Sequence, residues 1–96
     1  MLNNLAFVIA KSGKDLASAL QYAEQAKRIL PASREVNDTL AYIYVAMGMG
    51  RNATAILEEM AAARPQDLKV ARLLTQVRQR DFPAALRQFE VNQDAN

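Results

Sequence analysis

Ninety-six residues, 51% of them apolar, suffice for one small domain with a real core and leave no room for a second. Twelve Lys and Arg against ten Asp and Glu give a net charge of +2, too balanced for the clustered positive field that nucleic acids or anionic lipids require. Cys and His are absent, which removes thiol nucleophiles, disulfides, thiolate metal sites and the usual neutral-pH general base; no stretch approaches membrane-spanning length.

The pattern predicts six helices, at about 2–12, 15–29, 33–48, 51–63, 67–79 and 82–91. The first is apolar nearly all round, from Leu2 through Leu5, Ala6, Phe7, Val8 and Ile9 to Ala10. A helix without a polar face is buried on several sides, so something is expected to cover Leu2, Leu5 and Val8. Met1 runs into this helix with neither leader nor cap, which reads as a fragment of a longer chain. A preceding repeat would then cover it, or a second copy of the chain would, giving a homodimer. Gly13 ends the first helix and Pro31 stops the second. Gly48 and Pro65 do the same for the third and fourth helices. In the fifth, Val70, Leu73, Leu74 and Val77 keep the spacing of a buried helical stripe. Asp81 before Phe82-Pro83 is a good helix start, and Phe82, Leu86 and Phe89 then form one apolar face opposite Arg87, Gln88 and Glu90. Such a one-sided helix suits the end of a stack.

The elements repeat. Asn3-Asn4-Leu5-Ala6-Phe7-Val8-Ile9 lies over Asp38-Thr39-Leu40-Ala41-Tyr42-Ile43-Tyr44 at a spacing of 35, as Gly13 does over Gly48. Past the turn the spacing becomes 34, matching Ala19 to Ala53, Ala26 to Met60 and Pro31 to Pro65. The first unit thus carries one extra residue near Lys14-Asp15-Leu16. Ala6, Ala41, Ala19 and Ala53 are small where paired helices cross closely. The third unit is worn: Leu73 follows Leu40 by 33 and Ala85 follows Ala53 by 32, so its turn is expected to be shorter, Leu74 replaces the small residue, and no Gly marks the turn.

A Leu followed by a small residue, a large residue three later, Gly in the turn, then Ala, a large apolar residue, another Ala and a closing Pro together resemble the tetratricopeptide repeat. Leu40, Ala41, Tyr44, Gly48, Ala53, Leu57, Met60 and Pro65 carry it in the second unit. Leu5, Ala6, Ile9, Gly13, Ala19, Ala23, Ala26 and Pro31 carry it in the first. The resemblance implies an all-α, right-handed superhelix of about three antiparallel helix pairs in a single domain, 1–96. Its repeats are 2–31 and 32–65, with a degenerate capping pair at 66–92. The wording Asn-Asn-Leu-Ala-Phe, then Asp-Thr-Leu-Ala-Tyr, is more narrowly similar to bacterial tetratricopeptide proteins of exosortase and exopolysaccharide systems.

The family's concave face is lined by the first helix of each pair. Projected here, that face comprises Asn3, Phe7, Ala10 and Lys11, then Asp38, Tyr42, Val45 and Ala46, then Ala71, Thr75 and Arg78. Phe7 and Tyr42 hold equivalent positions and should sit side by side, ready to grip an apolar side chain or a helix face. The family's carboxylate clamp is absent, because its positions hold Asn3, Phe7 and Thr39. The expectation is a non-catalytic scaffold for a protein or peptide partner, with no cofactor, metal or nucleic acid, in the cytoplasm or periplasm. The alternative is a structural segment whose face and first helix are covered by the same chain or by a second copy. Glu58-Glu59 read as a solvated face, pointing apart on a helix beside Arg64. The basic residues Arg64, Lys69, Arg72, Arg78, Arg80 and Arg87 are interleaved with Asp67, Asp81 and Glu90, and read as surface charge.

Overall fold

The computed structural model describes residues 2–90, with side chains from Ala6 to Glu90. Six helices follow one another: α1 (Leu2–Ser12), α2 (Leu16–Ile29), α3 (Arg34–Ala46), α4 (Gly50–Ala63), α5 (Leu68–Arg78) and α6 (Phe82–Phe89). Each matches its expected span to within two residues, because the punctuation is local chemistry. Side-chain carboxyls or hydroxyls of Asp15, Ser33, Asp67 and Asp81 accept from the free amides that open α2, α3, α5 and α6. Pro83 lies in the first turn of α6, where its missing donor is not needed.

Within each pair the turn closes by a residue in the left-handed region. Gly13 (φ 71°) and Gly48 (φ 73°) adopt it at low cost. The third turn has no glycine, yet Arg80 takes the same conformation with φ 59°. The hydrogen bonds are the same in both cases. Gly48 N–H donates to the Val45 carbonyl and Met49 N–H to Tyr44; Arg80 N–H donates to Val77 and Asp81 N–H to Gln76. The degenerate pair therefore keeps the turn geometry of its neighbour while lacking its residue, and the shortening expected of this turn falls instead in α5, with 11 residues against 13 in α3. The extra residue of the first unit also falls in a turn: Asp15 caps α2 two residues after Gly13, whereas Met49 precedes α4 one residue after Gly48.

The pairs α1–α2, α3–α4 and α5–α6 pack in chain order, with α2 on α3 and α4 on α5. The small residues at the crossings, Ala6, Ala19, Ala41 and Ala53, are fully buried. Ile43, Leu57 and Leu73 are the largest fully buried side chains from three different helices, and truncating any one to Ala costs about 2–5 kcal/mol. A polar clasp ties the first two pairs: Lys27 Nζ of α2 donates to Asn37 Oδ1 of α3 (2.8 Å), Glu59 Oε2 of α4 (2.6 Å) and the Pro31 carbonyl (2.7 Å).

The third pair departs from a regular stack. Its second helix, α6, packs against α3 as well as α5. Phe82, Leu86 and Phe89 need burial, and they find it against the main core, Phe82 beside Gly50 at the start of α4 and Phe89 beside Tyr42 on the face that α3 shares with α1. No helix among the described residues is long and apolar enough to cross a membrane.

Candidate functional site

The residues projected onto the concave face do not end up together. Four do: Phe7 and Lys11 of α1 with Asp38 and Tyr42 of α3 line one concavity of about 260 Å³, and Phe89 and Glu90 at the end of α6 complete it. One turn apart on α1, Phe7 and Lys11 share a face, as do Asp38 and Tyr42 on α3, and α1 packs on α3. The Phe7 and Tyr42 rings lie 6.3 Å apart, tilted by 47°. Phe89 meets the other side of Tyr42 edge-on, with centroids 5.4 Å apart. Phe7 keeps 44% of its surface exposed, so the aromatic row has one open end.

Electrostatics divide the site in two. Lys11 Nζ lies 5.6 Å from the Tyr42 centroid and donates to Glu90 Oε1 at 2.8 Å. That bond raises the Lys11 pKa and lowers that of Glu90. Asp38 is half-buried, and loss of hydration pushes its carboxyl up, against the pull of Lys69 and Arg34. Lys69 Nζ donates to the Phe89 carbonyl at 3.0 Å, which satisfies an open acceptor at the C-terminal end of α6.

The other projected residues lie elsewhere. Val45, on the α3 face that continues from Tyr42, is only 2% exposed, because α6 covers the stripe that was expected to stay open. Ala10 is buried as well. Thr75 lies on the exposed side of α5 with Ala71, where its hydroxyl donates to the Ala71 carbonyl. Arg78 Nη2 pairs with Glu58 Oε2 of α4 at 2.7 Å. Since α6, not α5, lies against α3 on this side, Thr75 and Arg78 do not join the Phe7–Tyr42 row. The side chains of Asn3, Leu2 and Leu5 lie outside the described residues. Val8, the remaining member of the expected self-association set, is 65% exposed.

Phe89 and Glu90 are the site residues that the projection omits. The unpartnered apolar face of α6 was the only signal for Phe89 in the sequence; Glu90 was read on the polar face opposite, and nothing there pairs Lys11 with a residue 79 positions away. Among the described residues, no group of three or more His, Cys, Asp or Glu gathers to hold a metal ion.

A family model described as tetratricopeptide repeat matches residues 12–77, more than half of the chain. No curated protein and no solved structure shows significant similarity to the chain.

Proposed function

Since the chain belongs to the tetratricopeptide repeat family, whose repeats mediate protein–protein interactions, we propose that it is a non-catalytic scaffold that takes a protein or peptide partner on the face lined by α1 and α3. The observation that carries this reading is the open end of the aromatic row. Phe7 stands largely exposed beside Tyr42, flanked by the Lys11 cation, which offers apolar area and a directional charge in one concavity. A displayed library of helical and extended peptides, selected against the chain, tests it. Binders should weaken at least about tenfold on Phe7→Ala or Lys11→Glu, a loss of about 1.4 kcal/mol, measured at a temperature where both variants are folded because Lys11→Glu also breaks the Glu90 ion pair. Binders indifferent to both substitutions would sink the reading.

The structural alternative draws on a specific observation, the packing of α6 along the same face. If Phe7→Ala and Tyr42→Ala lower stability and change no binding, the face serves the chain's own folding. Exposure of Val8 and Phe7 on α1 supports self-association through that helix. Light scattering that finds only monomer across a concentration series removes that idea. The partner's setting in a bacterial exosortase or exopolysaccharide system rests on the Asn-Asn-Leu-Ala-Phe and Asp-Thr-Leu-Ala-Tyr wording alone.

A further inference from the structure

We propose that α6 is a displaceable resident of the α1/α3 face, and that the partner accepted there is a short amphipathic helix of the same chemistry: an apolar stripe ending in an aromatic residue followed directly by a carboxylate. The inference rests on reading that face as a partner-binding surface.

Position is the first argument. A regular stack would leave the α3 stripe of Asp38, Tyr42 and Val45 open, and α6 lies along it instead, with its last residues reaching α1. Recognition chemistry is the second. Phe89 docks edge-on to Tyr42, Glu90 accepts from Lys11, and Lys69 holds the carbonyl that ends the helix. These contacts pair an aromatic row and two cations with an aromatic residue, a carboxylate and a helix C-terminus, which is the complementarity of an interface.

Weak attachment is the third argument. With eight residues, α6 falls below the length at which a helix persists alone. Only Ala85 is fully buried, while Phe82, Leu86 and Phe89 pack on the core but are only partly buried. Its seam with α5 has one imperfect polar contact: Gln76 Nε2 donates to Gln88 Oε1 at a long 3.4 Å, and Gln76 Oε1 is buried without a partner among the described residues. The joint to α5 runs through Arg80, whose left-handed backbone is unfavourable for a residue with a side chain. A segment held by partial burial, an exposed ion pair and a strained joint opens more readily than the core. Pro83 keeps the opened α6 from continuing α5 as one straight helix, so release frees the face rather than rebuilding it.

The test uses a capped, fluorescently labelled peptide of residues 79–90 and two full-length chains, the unaltered one and Phe89→Ala/Glu90→Ala. Apparent affinity scales with the open fraction, so the double variant should bind the peptide at least about tenfold more tightly. In the double variant, whose α6 is already released, binding should fall on adding Lys11→Glu and return with a Glu90→Lys peptide. Hydrogen exchange of the unaltered chain supplies a readout free of any folding defect. Saturating peptide should speed exchange at 82–89 and leave 34–46 protected. Equal affinity for both chains overturns displacement while the face still binds. An opened chain with α1–α5 protected that ignores the peptide overturns the partner chemistry, whereas the selected peptides described above judge the face independently. Concentration-dependent dimers of the unaltered chain that disappear on adding peptide would make a second copy's α6 the occupant, and so overturn the separate-partner claim.

Discussion

Replacing Lys27 by Met tests what holds the first two helix pairs in register. Met keeps most of the stem and removes a cation that is 22% exposed and donates three short hydrogen bonds to groups on or beside three helices. The acceptors lose different amounts. Asn37 is 4% exposed, so its carbonyl oxygen stays buried without that donor, at about 1–3 kcal/mol. Glu59 is 49% exposed and rehydrates, so its share is about 0.2–1 kcal/mol. The Pro31 carbonyl lies at an exposed turn, and losing its bond costs about 0.5–1 kcal/mol. The sum is about 2–5 kcal/mol, a large part of the roughly 5–15 kcal/mol available to a domain of this size. Urea and thermal unfolding of Lys27→Met and Glu59→Gln side by side measure it. Lys27→Met should lower the melting temperature by at least roughly 8 °C, and Glu59→Gln by a fraction of that. Equal effects would refute the reasoning, because the buried Asn37 would then have found another partner.

Four further outcomes follow from the same geometry. Gly48→Ala should cost about 1 kcal/mol in a urea titration: nothing lies within 4 Å of the added methyl, so the loss is left-handed strain of about 1–2 kcal/mol, partly offset in the unfolded chain. Arg80→Gly should leave the melting temperature level or raise it, since relief of that strain outweighs or balances the Arg80–Phe82 contact at 5.2 Å. Asp38→Asn should stabilise at pH 7. Burial raises the native Asp38 pKa above its unfolded value, so the charged carboxylate opposes folding at neutral pH, and the advantage of Asn shrinks as pH falls through the raised native pKa. Glu90 has the opposite sign: its native pKa is lowered by Lys11, so its contribution is present above the ordinary carboxylate pKa and lost as pH falls through the lowered one. Melting curves of Glu90→Gln against the unaltered chain should therefore converge in acid.

The sequence by itself determined the helices, their pairing and the core. Those features come from short-range rules: carboxylates and hydroxyls that cap amides three residues on, Gly at turns, Pro at stops, and small residues wherever a 34- or 35-residue period brings helices together. Ala6, Ala19, Ala41 and Ala53 were readable as crossing points because only a small side chain fits there, and all four are fully buried. The juxtaposition of Phe7 and Tyr42 was readable too, since equivalent positions in stacked repeats must be neighbours. Even the worn third turn was half legible. The spacing read as a shorter turn, whereas the missing residues come out of α5, and that Arg80 would take the glycine conformation followed only from the hydrogen bonds the turn must close.

Tertiary structure alone decided where α6 goes. Its apolar face announced that it needed a partner, yet three partly exposed side chains carry no address, and the periodic pattern points to a regular continuation of the stack. The choice of the α1/α3 face is a competition among nearby surfaces. It is won by a stripe where Tyr42 offers an edge-on aromatic contact and Lys11 takes a carboxylate 79 residues away, while Lys69 of α5 takes the last carbonyl. Pairings at such separations have no periodicity to reveal them, because they depend on the positions of four other helices. That one docking event turned Val45 from a surface residue into a core residue, and the open concave face of the repeat into one already occupied at one end.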